Sequence, residues 1–183
     1  GRDKAPGEFR RSQNWIGAPG TPMEAARFVP PQPGRVPALL ANFEQYWRGK
    51  ELDPLVQLAL LHAQFEIIHP FRDGNGRIGR ILVPLFLHEK GLLARPMFYL
   101  SAYLDANRAE YVARLRSLNG PRSWNEWVAF FLRAVSAQAQ ANADKARAML
   151  ALYERLKARA IELTRSQYAV PLLDRLFAQP VFA

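Results

Sequence analysis

The chain has 183 residues, 49% of them hydrophobic, which is enough for one domain with a packed core and excludes an intrinsically disordered chain. It contains no cysteine, so disulfides, thiolate metal sites and a cysteine nucleophile are excluded, in keeping with the cytoplasmic location that we expect. The formal net charge of +9 favours a polyanionic partner such as a nucleotide or nucleic acid, and no run of about 18 apolar residues is present to span a membrane.

The N-terminal part of the chain is rich in glycine and proline and lacks helical periodicity. Residues 15–17 and 26–30 are short apolar stretches, and the APGTP sequence between them has the composition of a turn. This pattern predicts a short β-hairpin. Pro30, Pro31 and Pro33 end the pairing, because proline has no N–H to donate to a strand ladder.

Apolar periodicity beyond the prolines predicts an all-α helical bundle. The predicted helices cover residues 36–46, 54–69, 76–90, 101–118, 123–168 and 172–180. The second of them is apolar around almost its whole circumference, which is typical of a helix at the centre of a bundle. The helix predicted over residues 101–118 is expected in one or two pieces.

Individual residues predict where several of these helices begin or end. Asp53 and Pro54 suit the N-cap and the first position of the second helix. Pro70 predicts that this helix ends at the residue before it, because proline disfavours helical geometry in its predecessor. Gly91 predicts the end of the third helix. The sequence S-W-N-E at 123–126 predicts a capping box at the start of the long helix.

The sequence HPFRDGNGRIGR at residues 69–80 joins the second and third predicted helices. Gly74, Asn75 and Gly76 are residue types that tolerate left-handed backbone conformations. Successive N–H groups in such a turn form a concave anion site, and the helix N-terminus that follows attracts anions as well. The loop therefore predicts a phosphate site built from backbone N–H groups and an amide side chain.

Two arginines follow this loop. Arg77 and Arg80 are three residues apart, so they share one face of the first helical turn. Each guanidinium carries a fork of donors suited to phosphate oxygens. The combination of backbone N–H groups and two guanidiniums predicts binding of a polyphosphate.

The loop also contains an acid and a histidine, each with two interpretations. Asp73 is either a Mg²⁺ ligand beside bound phosphates or a cap of the third helix. We favour Mg²⁺, because a bare carboxylate would repel the phosphates. His69 is either a base that takes a proton from a hydroxyl or a structural residue at a helix end. The loop that folds back from His69 to the phosphate site favours the base.

Metal sites offer other interpretations of the same histidine. The spacing Glu66-x-x-His69 is that of a di-iron helix, and His62 together with these two residues has the spacing of a zinc site. Neither metal explains the glycines of the loop. We interpret His62 as a core histidine and His88 as a surface residue.

The segment HPFRDGNGRIGR resembles the signature of the Fic (Fic/Doc) family, HxFx(D/E)GNGRxxR, at every fixed position. GEFRRSQNWIG, HAQFEIIHPF and SWNEWVAFFL also look like Fic proteins, so the resemblance covers about residues 7–140. It implies a Fic-type helical bundle whose N-terminal β-hairpin is a flap that holds a target segment by strand-like pairing. It also implies a Fic domain at 1–168. Residues 169–183 would be a linker or the start of a truncated C-terminal domain, which resembles a winged helix.

The resemblance implies a protein adenylyltransferase, which moves AMP from ATP to a Ser, Thr or Tyr hydroxyl of a target protein and releases pyrophosphate. It implies that His69 is the catalytic base and that Asp73 holds Mg²⁺, while Phe71 points into the core and fixes the loop. The implied phosphate and ATP contacts are Gly74, Asn75, Gly76, Arg77 and Arg80, the last at the γ-phosphate. The sequence YVARLRSLN resembles the family's adenine-pocket helix, which implies a pocket lined by Val112, Leu115 and Asn119.

Two other functions stay open at this point. Other Fic-fold members transfer phosphate, UMP or phosphocholine, although Doc-like kinases depart from the GNGR pattern that this chain keeps. A basic nucleic-acid-binding or adaptor domain with a vestigial nucleotide site is the second alternative, which the intact His69 and arginines disfavour. We find no inhibitory motif (S/T)xxxE(G/N) placed to act here, so we expect that helix upstream of Gly1 or in a separate protein. DNA contact is expected only through a domain missing here, and a homo-oligomer is an open alternative.

Overall fold

The computed structural model describes residues 7–50, 53–118 and 121–179. Its α-helices are α1 (Val36–Arg48), α2 (Pro54–Ile68), α3 (Asn75–Glu89), α4 (Ser101–Ala106), α5 (Arg108–Arg116), α6 (Pro121–Thr164) and α7 (Ala169–Ala178). Short 3₁₀ turns at Met23–Ala25 and Pro33–Arg35 precede them. The all-α prediction is confirmed.

The predicted N-terminal hairpin is not supported. Within the described residues, Ile16 and Phe28 form one isolated antiparallel bridge, in which the Ile16 N–H donates to the Phe28 carbonyl oxygen over 2.9 Å. The chain between them contains a 3₁₀ turn at Met23–Ala25. Beyond Phe28, Pro30 has no N–H to donate, so the pairing cannot continue in that direction.

The helix α2 lies at the centre of the core, as its apolar circumference predicts. The Asp53 carboxylate caps it by accepting hydrogen bonds from the N–H groups of Leu55 (2.9 Å) and Val56 (3.3 Å), and Pro54 occupies the first turn. The Trp127 indole N–H donates to the Ala59 carbonyl oxygen over 2.8 Å, which ties α6 to α2. The largest core side chains come from α2, α3 and α6 and from the segments that join them: Leu58, Leu61, Val83, Phe86, Leu100, Leu104, Trp127, Phe130 and Phe131.

The C-terminal ends of α2 and α3 lie close to the residues at which the sequence predicts them. The helix α2 ends at Ile68, and His69 follows in the left-handed region with φ 48°. The helix α3 starts at Asn75, one residue before the predicted start, and Gly91 follows its end with φ 75°. The two central helices are thus joined by a loop of only six residues, 69–74.

The later helices differ in detail from the predicted boundaries. The predicted segment 101–118 forms two helices, α4 and α5. The capping box predicted at 123–126 is wrong, because α6 already begins at Pro121. Proline is well suited to the first position of a helix, where its missing N–H has no partner to lose. The helix α6 ends at Thr164, and α7 follows at Ala169.

The chain divides into two compact units, Gly1–Gln138 and Ala139–Ala183. In the second unit the Tyr153 ring packs edge-on against Phe177 at 5.2 Å between ring centroids, and its hydroxyl donates to Asp174. Of the helices in the described residues, none is apolar enough over a sufficient length to cross a membrane. The loop between α2 and α3 lies in the first unit.

Candidate functional site

His69 directly follows the last residue of α2 and is the first residue of the loop. Its Nδ1 lies 3.3 Å from the Glu66 carbonyl oxygen, which favours the tautomer with the proton on Nδ1 and leaves Nε2 as an acceptor. Burial lowers the pKa of His69, the Glu66 carbonyl raises it, and the charge of Arg10 lowers it further. The net direction is downward, so the imidazole is mainly neutral at neutral pH and can accept a proton.

The Asn75 side chain is committed to the loop. It is 2% exposed; its Oδ1 accepts from the Phe71 N–H and its Nδ2 donates to the Phe71 carbonyl oxygen, both over 2.8 Å. This side chain therefore bonds to the Phe71 backbone, and the phosphate contact expected of Asn75 stays a prediction that its backbone N–H can satisfy. The Phe71 ring packs against Phe9 at 5.6 Å and Phe65 at 6.5 Å between centroids, which anchors the loop as expected.

The turn into α3 has the geometry of an anion site. Gly74 has φ 83°, a conformation that side-chain-bearing residues rarely adopt, and its N–H donates to Asp73 Oδ1 over 2.7 Å. The next N–H groups, of Asn75, Gly76 and Arg77, are the first of α3 and have no acceptor within the helix. These donors, together with the helix dipole, attract a negative group.

Both arginines fold back over this turn. Arg77 Nη2 lies 3.4 Å from the position that a Cβ on Gly74 would occupy, and Arg80 Nη1 lies 3.3 Å from the same position on Gly76. Arg77 is exposed, with Nη2 at 3.9 Å from Asp73 Oδ2, whereas Arg80 is half-buried. The predicted phosphate residues thus lie together at the N-terminal end of α3.

Glu66 is a residue of this region that the sequence analysis weighed only as a metal ligand. Its Oε1 is buried and has no hydrogen-bond partner among the described residues. A Cβ on Gly79 would lie only 2.6 Å from this oxygen, so the glycine leaves the space that the carboxyl group fills. Burial raises the pKa of Glu66 to about 7, although the charge of Arg80 opposes the shift. The available signal was an acid within the most apolar helix of the chain.

We expect Glu66→Gln to flatten the dependence of folding stability on pH. The folded-state pKa of about 7 lies above the usual 4.5, so between these values the unfolded state is ionised while the folded state keeps its proton. Wild-type stability should therefore fall by up to about 3 kcal/mol as pH rises from 4.5 to 7, and then level off. The neutral glutamine should remove this loss. Urea unfolding at pH 4.5, 6 and 8 measures the effect, with the exposed Glu24→Gln as control; parallel profiles would contradict it.

The other histidines do not form a metal site with His69. His62 is buried, with Nε2 3.0 Å from the Tyr111 hydroxyl and its ring stacked on Trp127. Burial lowers the pKa of His62 to about 4, which agrees with a neutral core histidine. His88 is exposed, with Nδ1 2.9 Å from the Leu93 carbonyl oxygen. The described residues contain no group of three His, Cys, Asp or Glu that could hold a metal, so the zinc and di-iron interpretations have no support.

Asp73 fits a different kind of ion. It is an exposed carboxylate beside the turn that leads into α3, with Oδ1 oriented by the Gly74 N–H. Mg²⁺ is usually bound by one or two carboxylates together with substrate phosphates and waters. A lone carboxylate at this position is compatible with Mg²⁺ only when a bound polyphosphate supplies further oxygens.

The predicted adenine residues lie on or near α5. Val112 and Leu115 are half-buried on that helix, and Leu115 packs against the core cluster. Asn119 lies outside the described residues. The base pocket stays a prediction.

Comparisons with known proteins agree with the motif. The model of the Fic/DOC family matches residues 2–87. A probable protein adenylyltransferase, aq_aa38 of Aquifex aeolicus, is 40% identical over 92 residues, which are 50% of this chain and 26% of that protein. The protein adenylyltransferase Fic of Aedes aegypti is 38% identical over 88 residues, which are 46% of this chain and 16% of that protein. The chain thus spans about a quarter or less of these curated relatives.

Solved structures show the same fold. A Fic family protein from Desulfovibrio desulfuricans has a TM-score of 0.63 at 24% identity, over 93% of this chain and 53% of that one. A Fic domain containing signaling protein from Bacteroides thetaiotaomicron has a TM-score of 0.53 at 22% identity, over 72% and 53%. At these identities the likeness concerns the fold alone.

Proposed function

Because residues 2–87 belong to the Fic/DOC family, we propose that this chain transfers AMP from ATP to a Ser, Thr or Tyr hydroxyl of a target protein and releases pyrophosphate. Curated relatives at 38–40% identity carry the name protein adenylyltransferase, which supports a transferase that uses ATP. The observation that carries the proposal is that His69 lies at one end of a six-residue loop whose other end is a glycine turn at the N-terminus of α3, with the Arg77 and Arg80 guanidiniums beside it.

In the proposed reaction His69 Nε2 takes the proton of the target hydroxyl. The hydroxyl oxygen then attacks the α-phosphorus of ATP and forms the new P–O bond. The bond between the α-phosphorus and the oxygen that bridges to the β-phosphorus breaks, and pyrophosphate leaves with the bonding electrons. Such transfers depend mainly on positioning and on neutralisation of charge, and those are the capabilities of a rigid loop with fixed donors.

The loop and the first turn of α3 would hold the triphosphate. The N–H groups of Asn75, Gly76 and Arg77 would donate to phosphate oxygens, and the two guanidiniums would flank them, with Arg80 at the γ-phosphate. Asp73 is the carboxylate that we propose for Mg²⁺, which would neutralise phosphate charge if bound there. The adenine would lie against α5, next to Val112 and Leu115.

The position of the label in ATP tests this proposal. Relative to the lysate alone, we expect added protein-bound radioactivity when the lysate is incubated with the chain and α-³²P-ATP, and no addition with γ-³²P-ATP. Label from the γ-position would instead identify a phosphotransferase, and label only from α-³²P-UTP a uridylyltransferase. If no nucleotide labels protein and the chain binds nucleic acid with an affinity that falls steeply with salt, the binding-domain alternative replaces the proposal.

A further inference from the structure

The N-terminal segment reaches the catalytic loop through one buried arginine. We propose that Arg10 is a positioning residue for His69, which holds the backbone that carries the imidazole and sets the charge beside it. This inference rests on the proposed role of His69 as the base.

The contacts of Arg10 are directed at the end of α2. Its side chain donates from Nε to the His69 carbonyl oxygen over 2.9 Å and from Nη2 to the Ile68 carbonyl oxygen over 3.4 Å. Its backbone N–H donates to the Pro70 carbonyl oxygen over 2.9 Å. Nη2 also donates to the Pro31 carbonyl oxygen, so four carbonyl groups, three of them consecutive in the chain, bond to a residue that is 2% exposed.

A buried guanidinium needs compensation, and Nε and Nη2 of this one obtain it from carbonyl groups, whereas Nη1 has no hydrogen-bond partner among the described residues. No carboxylate of the described residues forms an ion pair with Arg10. The last carbonyl groups of a helix lack intrahelical partners and carry the negative end of the dipole, so a cation with several donors is favourable there. Arg10 therefore serves as a C-terminal cap of α2 that comes from 59 residues away in the sequence.

This cap bonds to the backbone at His69, whose conformation is unfavourable without support. His69 has φ 48°, a left-handed conformation that is unfavourable for any residue with a side chain. Asn14, from the same N-terminal segment, donates through Nδ2 to the Phe71 carbonyl oxygen over 3.1 Å. The segment thus bonds to the loop on both sides of Pro70 and restricts the direction in which the imidazole points.

Arg10 also acts on the protonation of His69. Burial is the main cause that lowers the pKa of His69, and the positive charge of Arg10 adds to it. On its own helix His69 contacts the Glu66 carbonyl oxygen, whereas the Glu66 carboxyl group lies against Gly79. Loss of the Arg10 charge should therefore raise the pKa of the imidazole and shift the acid limb of the activity profile to higher pH.

The test compares Arg10→Gln and Arg10→Lys in the full chain with Arg11→Gln, whose side chain is 87% exposed and pairs with Glu8. NMR titration reports the histidine pKa values, and the His69 signal is assigned with His69→Ala, since the chain has three histidines. For Arg10→Gln we expect a raised His69 pKa, unmoved His62 and His88, and kcat for AMP transfer lower by about 10²-fold with little change in KM for ATP. Arg10→Lys keeps the charge and should leave the pKa nearer to wild type.

A folded Arg10→Gln variant with unchanged His69 pKa and kcat would overturn the inference. If that variant does not fold, Arg10→Lys tests the inference, because one ammonium group lacks the planar fork that reaches several carbonyls, and kcat for AMP transfer should fall. A wild-type kcat in Arg10→Lys would overturn the inference as well. A wild-type chain that transfers no AMP would refute the proposed function. If the His69 pKa of that chain still responds to Arg10→Gln and not to Arg11→Gln, the positioning role of Arg10 is retained.

Discussion

Replacement of His69 by alanine is expected to reduce AMP transfer by about 10²- to 10⁴-fold, the usual contribution of a general base. Its lowered pKa leaves the ring ready to accept a proton, and Nδ1 is engaged by the Glu66 carbonyl oxygen, so Nε2 is the nitrogen that we expect to accept it. The variant should still bind ATP, since the predicted phosphate contacts come from the turn that begins at Gly74. Transfer of label from α-³²P-ATP and calorimetry with ATP measure the two effects separately.

His88→Ala is the matched control for this experiment. His88 is exposed near the C-terminal end of α3, far along the chain from the loop, and its Nδ1 contacts the Leu93 carbonyl oxygen. This variant should transfer AMP at the wild-type rate. Undiminished transfer by His69→Ala would show that another group takes the proton, and loss of ATP binding would show that His69 holds the nucleotide instead.

Arg80→Ala is expected to weaken ATP binding by about 10- to 100-fold, which corresponds to one charge-assisted hydrogen-bond pair. Its guanidinium is half-buried and lies over Gly76, beside the N–H groups that open α3. The burial reduces the screening by water that makes an exposed ion pair weak. Because we propose that Arg80 meets the γ-phosphate, the loss should be larger for ATP than for AMP.

Calorimetric titration of ATP, ADP and AMP against the same variant measures this difference. Arg48→Ala is the control, since Arg48 is exposed at the end of α1 and pairs with Glu44. An ATP affinity equal to that of wild type would place the γ-phosphate elsewhere, and an equal loss for all three nucleotides would place Arg80 at the α-phosphate.

Local sequence signals predicted the parts of this molecule that local chemistry determines. Asp53 and Pro54 define the start of α2, Pro70 its end, and Gly91 the end of α3, because each acts on its own backbone or on the next turn. One local signal was wrong. The helix α6 begins at Pro121, two residues before the predicted capping box, and proline is a residue type that suits the first position of a helix.

Two contacts that complete the site could not be predicted from local sequence signals. The side chain of Asn75 faces Phe71 across the loop, and Arg10 bonds to backbone 59 residues away. No periodicity or spacing encodes either contact, because both depend on how distant segments pack. The predicted hairpin shows the reverse case, in which a turn-like composition was recognised but only one bridge forms and Pro30 limits the pairing beyond it.

The close approach of Glu66 to Gly79 has a consequence for anyone who tries to make this chain more thermostable. Glycine within a helix is the usual first target for replacement by alanine, a change that gains roughly 1 kcal/mol where space allows. At position 79 a methyl group would lie 2.6 Å from a carboxyl oxygen and 3.2 Å from the Phe65 ring, so the standard improvement would displace the Glu66 carboxyl group and press on the Phe65 ring.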